Sequence, residues 1–127
     1  MSEENKNNNE NESKKSNGIS IEDFQKVELV VGEILSAEKV PDTDKLLKLS
    51  VNLGEELPRV IVSGISMYFP DCSVLIGKKC MFVANLEPRI IRGIESNGMI
   101  CAVSTDDGLK FSLLEPNNEI PVGVRAK

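Results

Sequence analysis

Histidine and tryptophan are absent from the 127-residue sequence, and the aromatic content is limited to one tyrosine and four phenylalanines. Without histidine there is no imidazole base, so Ser-His-Asp and Cys-His nucleophile systems are excluded. A zinc site would need an unusual ligand set, and no metal or cofactor is expected. The cysteines Cys72, Cys80 and Cys101 are odd in number, widely spaced and form no C-x-x-C pair, so they read as buried thiols acting as small hydrophobes. No phosphate-loop pattern occurs either. Gly77-Lys78-Lys79 lacks the preceding glycine and reads as a turn with two solvated lysines. No apolar run approaches the ~18 residues of a membrane span, and the N-terminus lacks a signal-peptide layout. The expectation is a cytoplasmic chain with no membrane partner. Nothing marks one pair out of the twenty acidic residues for carboxylate chemistry, so a non-catalytic role is expected.

Charge is sparse in one sign only when averaged. The net charge is −5, of which residues 1–23 carry −3 and the remainder −2. Within 78–92, Lys78, Lys79, Arg89 and Arg92 face a single acid, Glu87, which makes this window locally +3. Distribution rather than total decides whether phosphates can be met.

Residues 1–18 are Asn, Glu, Lys and Ser with almost nothing apolar, and are expected to form a disordered tail because they bury too little to offset ordering. The domain is then 19–127. Ser20 followed by Asp23 predicts a capped helical turn. Val27, Leu29 and Val31 alternate with polar positions, and Gly32 predicts a bulge or bend. Leu47, Leu49, Val51 and Leu53 alternate cleanly as a half-buried strand. A turn at 54–56, strands at 59–63, 79–85 and 98–104, and a helical turn within 64–70 follow. Leu109 to Leu114 is a short apolar piece, and Ile120 to Val124 a candidate edge strand. Many short strands with few helix signals predict an all-β fold. Five principal strands with a short helix between the third and fourth predict an OB-fold barrel carrying a C-terminal extension at 109–127.

The run Asn85–Met99 joins two of these strands and is too long for a tight turn, and such loops are more often functional than idle. Arg89 and Arg92 suit phosphate oxygens and base faces. Asn85 and Ser96 can donate and accept at base edges or ribose hydroxyls. Spacing alone leaves open a solvated loop in which the arginines pair with Glu87 and Glu95. By pattern, Met99 in an apolar strand beside Ile100 and Val103 is more often core than contact, and Lys45 after two aspartates also reads as a solvated ion-pair partner.

Several separated motifs carry a family resemblance. Phe24-Gln25-Lys26-Val27-Glu28-Leu29-Val30-Val31-Gly32-Glu33-Ile34, Asp44-Lys45-Leu46-Leu47-Lys48-Leu49 and Val62-Ser63-Gly64-Ile65 resemble the tRNA-binding domain appended to methionyl-tRNA synthetases, which also occurs as free-standing tRNA-binding proteins. Val83 through Arg89, Arg92 through Met99, and Leu114-Glu115-Pro116 extend the match over roughly 22–127. The resemblance implies an OB-fold that captures tRNA by shape without aminoacylation chemistry. It implies a homodimer built through the segment after the barrel, and a methionyl-tRNA synthetase catalytic domain as a possible companion. Carried over position by position, Lys45, Ser63, Asn85, Arg89, Arg92, Ser96 and Met99 are the expected tRNA-binding residues. The chain departs from many relatives at Val40, where they carry histidine. The second function the family suggests is a protein-binding chaperone of the secretion type, working through an exposed apolar patch.

Overall fold

In the computed structural model the described residues are 17–127. The expected tail at 1–18 therefore lies outside them except for Asn17 and Gly18. A single helical turn, α1 (Ile21–Phe24), opens the fold. The Ser20 hydroxyl accepts the Asp23 N–H at 3.0 Å, as the Ser-x-x-Asp spacing predicts.

The strands are β1 (Leu29–Lys39), β2 (Leu47–Asn52), β3 (Arg59–Ser63), β4 (Lys79–Val83), β5 (Arg89–Ile91), β6 (Ile94–Ser96), β7 (Met99–Ile100), β8 (Ala102–Ser104) and β9 (Phe111–Leu113). Five of them form one antiparallel sheet in the order β3-β2-β1-β4-β7. The others make two antiparallel pairs, β5 with β6 and β8 with β9. Strict alternation in β2 puts Leu47, Leu49 and Val51 inward and leaves Lys48, Ser50 and Asn52 half-buried on the outer face. The inward residues join Ile34, Ile61, Leu75, Phe82 and Ile100 in one core, each large side chain contributing about 1.5–3 kcal/mol of burial.

β1 is shared along its length. Its first half, Leu29–Glu33, pairs with β4, and its second half, Glu33–Lys39, pairs with β2. The register shift lies between Ile34 and Ser36, two residues beyond the expected bulge at Gly32. Gly32 itself pairs regularly with Cys80. A Cβ there would lie 2.7 Å from Leu53 and 2.8 Å from the Phe82 ring, so glycine is required by close approach to the core. The result is a nearly closed OB-fold barrel. Two short 3₁₀ turns, Ser66–Tyr68 and Cys72–Leu75, stand between β3 and β4 where a helix was expected.

Two expectations change in the C-terminal third. The stretch 98–104 is not one strand, because it divides at Cys101 into β7, paired with β4, and β8, paired with β9. The expected edge strand at 120–124 is displaced: the pairing runs through Gly123, Val124 and Ala126, whose backbone atoms bond Val31 and Leu29 at 2.8–2.9 Å. This segment takes up backbone groups of Leu29 and Val31 that β4 leaves free. Lys79 anchors the extension, its ammonium donating to the Asn118 and Ile120 carbonyls at 3.1 and 2.8 Å. Cys80 and Cys101 are buried and Cys72 is half-buried. Burial pushes the Cys80 thiol up to about 11, which keeps it protonated and unreactive near neutral pH. No helix among the described residues is long and apolar enough to cross a membrane.

Candidate nucleic-acid interface

The run read as a long loop is itself a hairpin. Arg89 pairs with Ser96, Ile90 with Glu95 and Ile91 with Ile94. The chain reverses at Arg92-Gly93, whose φ values of 53° and 78° are both positive, as a type I′ turn requires. Glycine accepts this conformation freely, whereas an arginine in the left-handed region costs about 1 kcal/mol or more. Asparagine is the residue that suits this position best. The arginine is kept at a conformational cost, and its side chain is exposed. Arg92→Asn is expected to raise stability in a denaturant melt by roughly 0.5–1 kcal/mol while weakening the binding of polyanions.

Residues directly opposite across a strand pair share a face. Arg89 therefore shares the face of Ser96, and Ile90, 71% exposed, shares the other face with Glu95. Ser96 is buried, and its hydroxyl accepts the Val62 N–H of β3 at 2.9 Å. Beside it the Asn97 N–H donates to the Val60 carbonyl at 2.8 Å. These two bonds close the barrel between β3 and the hairpin, so that Arg89 is carried on the side that meets β3. At the far end of β3, Ser63 pairs with Leu47, and the Lys45 carbonyl accepts the Ser66 N–H at 3.0 Å. Lys45 lies in the β1–β2 connection with its side chain exposed. Lys48, on the outer face of β2, pairs with Val62.

The structure thus brings Lys45, Ser63, Arg89 and Ser96 to one side of the barrel, with Arg92 at the projecting tip of the hairpin. Lys48, a basic residue on the same side, is not among the candidates named from sequence, although its place on the polar phase of β2 is legible there. Among the described residues no ion pair involves Arg89 or Arg92, and the open alternative of pairing with Glu87 and Glu95 does not occur. Lys78 and Lys79 separate from this group: Lys78 pairs with Glu115 at 3.5 Å and Lys79 binds the extension. Of the locally positive window, only the two arginines remain available for a ligand.

Asn85 and Met99 stand at the base of the hairpin. Met99 pairs with Val83 and is 48% exposed, so it is not a core residue. The Asn85 side chain faces the linker between α1 and β1, where its carbonyl accepts the Glu28 N–H at 2.9 Å and its amide donates to the Lys26 carbonyl. Both polar ends are engaged in holding the chain, as is the Ser96 hydroxyl. The sequence reading also missed Arg59, which begins β3. Its guanidinium grips Glu55 through two bonds of 2.9 and 2.7 Å. It also donates to the Ala84 and Asn97 carbonyls on either side of the hairpin. The bond from Arg59 holds the Glu55 carboxyl below its ordinary range, and the same bond raises Arg59. A depressed carboxyl contributes above its unfolded pKa and loses that contribution as pH falls through the folded one, so the pair is intact at neutral pH.

An OB-fold offers nucleic acids the face of its second and third barrel strands together with the connections between its first and second and its fourth and fifth barrel strands, the latter here being the β4–β7 connection that contains the hairpin. Lys45, Lys48, Arg89 and Arg92 occupy that surface here. A family profile described as "Putative tRNA binding domain" matches residues 29–125. The methionine–tRNA ligase of Enterococcus faecalis is 44% identical over 111 residues, which are 87% of this chain and 16% of that protein. The methionine–tRNA ligase of Methanospirillum hungatei is 50% identical over 109 residues, covering 86% of this chain and 16% of the ligase. The chain spans about 16% of the length of these ligases. A MetRS-related protein from Pyrococcus horikoshii superposes with a TM-score of 0.81 at 40% identity, covering 88% of this chain and all of the other. The chaperone CsaA of Bacillus anthracis superposes at 0.75 with 25% identity, covering 87% of this chain and 99% of the other. With the barrel, the hairpin and the profile in agreement over 29–125, the chain belongs to the tRNA-binding domain family found at methionyl-tRNA ligases and in free-standing relatives.

Proposed function

We propose that this domain captures tRNA without catalysing a reaction, through the face bounded by Lys45, Lys48, Arg89 and Arg92. The observation that carries the reading is the pair of exposed arginines, free of ion pairs among the described residues, on a hairpin whose own acids leave them unneutralised. Phosphate contact is the chemistry such groups offer. Met99 borders the face and supplies an apolar contact to ribose or base, and Ser63, opposite the inward Leu47, lies at the edge of the face at the end of β3. Asn85 and Ser96 act on tRNA through the shape they hold, since their polar groups are bound to the protein's own backbone. No aromatic residue lies in Asn85–Met99, so bases are met by shape and polar contacts rather than by a stacking platform.

The domain serves a catalytic methionyl-tRNA synthetase, attached or separate, by raising the local concentration of tRNA. Its setting is the cytoplasm, where that substrate is found. Two copies assemble through the C-terminal extension, a reading supported by Leu109, Leu114, Ile120 and Val124, which are exposed in the single chain.

A protein-binding role is the second reading, favoured by the likeness to a chaperone and by exposed Val103 and Leu109 on the segment around the β8–β9 pair. Titration of labelled bulk tRNA and of an unfolded polypeptide at low salt separates the two. The first reading expects micromolar tRNA binding and no comparable polypeptide binding. Absence of tRNA binding at low salt contradicts it, and salt-insensitive polypeptide binding favours the second.

A further inference from the structure

The β5–β6 hairpin carries both arginines of the proposed tRNA face, yet it stands apart from the five-stranded sheet as a two-stranded sheet of its own. Its attachment to β3 runs through one backbone bond, Asn97 to Val60, and one side-chain bond, Val62 to Ser96. Two such bonds fix a position but leave rotation about the seam weakly opposed. The Arg59 guanidinium lies across this seam. It donates to Ala84, the last residue before the hairpin segment, and to Asn97, the first residue after β6. The Glu55 carboxylate takes two more of its N–H groups at 2.9 and 2.7 Å, which leaves one of five donors free. Arg59 is half-buried, its outward side occupied by Glu55 rather than by a ligand. A planar fork can hold a carboxylate on one edge and two carbonyls on the other, and an ammonium cannot.

From this geometry we infer that Arg59, aimed by Glu55, is a positioning residue for tRNA capture, setting the angle at which the hairpin presents Arg89 and Arg92. The inference rests on the tRNA-binding reading above. Arg59 acts before the ligand arrives, because it sets the fraction of free protein whose hairpin is already placed. A fall in that fraction weakens apparent affinity in proportion. The bound state still meets the same phosphates and releases the same counterions, so the salt dependence is unchanged. Removing a residue that itself touches phosphate makes the salt dependence shallower.

The test is tRNA binding by the full chain across a salt series for wild type, Arg59→Lys and Glu55→Gln, with thermal melts of each. Arg59→Lys is expected to weaken binding about tenfold at an unchanged log–log slope, and Glu55→Gln is expected to weaken it roughly threefold. Should Arg59→Lys fail to fold, Glu55→Gln carries the test alone, since Arg59 keeps its bonds to Ala84 and Asn97. Unchanged affinity in a folded variant overturns the inference and leaves the tRNA reading standing. In Arg59→Gln, a further variant that removes the charge Arg59→Lys keeps, a slope shallower by about 0.7–0.9 also overturns it, by making Arg59 a phosphate ligand. Absence of tRNA binding by wild type overturns the tRNA reading, and the inference with it.

Discussion

Replacing both hairpin arginines, Arg89→Ala/Arg92→Ala, is expected to weaken tRNA binding roughly 100-fold near 0.1 M salt, because each charge-assisted bond to phosphate is worth about 10-fold. Four basic groups border the proposed face, and the arginines are the two on the projecting element. Neither is tied to Glu87 or Glu95, so no internal ion pair is broken when they are removed. Both are exposed, and alanine at position 92 meets the same left-handed backbone cost as the arginine it replaces, so no new strain is introduced. The fold is therefore expected to survive the double substitution, and the effect to appear in binding alone. Circular dichroism and a melt check the first point, and anisotropy of labelled tRNA checks the second. The complementary pair Lys78→Ala/Lys79→Ala serves as a control of equal charge. Those lysines belong to Glu115 and to the C-terminal extension, so their removal falls on stability and much less on tRNA.

The second large effect is that of salt on the unaltered protein. With Lys45, Lys48, Arg89 and Arg92 each meeting one phosphate, log K falls with log salt at a slope of about −3 to −4. Affinity then drops about 100-fold between ~50 and ~200 mM salt. In the double-arginine variant the slope shallows by roughly 1.5. Binding that stays constant over this range contradicts a phosphate-based interface. The overall charge of −5 works against this steepness, because the long-range repulsion it creates is itself screened as salt rises. The slope is therefore set by counterion release at the few local phosphate contacts, which outweighs the relief of that repulsion.

Much of the barrel was legible because period-two alternation is a direct consequence of strand geometry. Leu47, Leu49 and Val51 fall on one face and Lys48 and Ser50 on the other, both in the sequence and in β2. The hairpin was not legible as one. Its strands are three residues long, and its turn is Arg-Gly where Asn-Gly or Asp-Gly is the usual signal. Gly32 was read as a bend, yet its role is to leave room for Phe82, a neighbour far along the chain. The displaced final pairing has a similar cause. Which residues of 120–126 meet β1 depends on tertiary contacts of the extension, among them the bonds from Lys79 to Asn118 and Ile120.

The site divides in the same way. Arg89 and Arg92 were visible as candidates, but their freedom from Glu87 and Glu95 depends on geometry that spacing does not determine. Asn85 and Ser96 were candidates from their hydrogen-bonding chemistry and again from the family resemblance, and the structure adds that each is bonded to backbone atoms of a distant segment. Arg59 was invisible for the same reason. Its partners Ala84 and Asn97 lie 25 and 38 residues away and are met through carbonyls, which every residue type possesses. Side chain to backbone bonds leave no pairwise mark in a single sequence.

The claim that tRNA is held on the face between the β1–β2 connection and the hairpin is tested most directly by mapping backbone amide shifts as tRNA is added to the isotope-labelled full chain. Perturbations are expected to gather at Lys45–Lys48, Ser63–Gly64 and Leu86–Asn97, with Ala102–Phe111 unaffected. Perturbations that gather instead around Val103 and Leu109, or that spread evenly over the molecule, would contradict it.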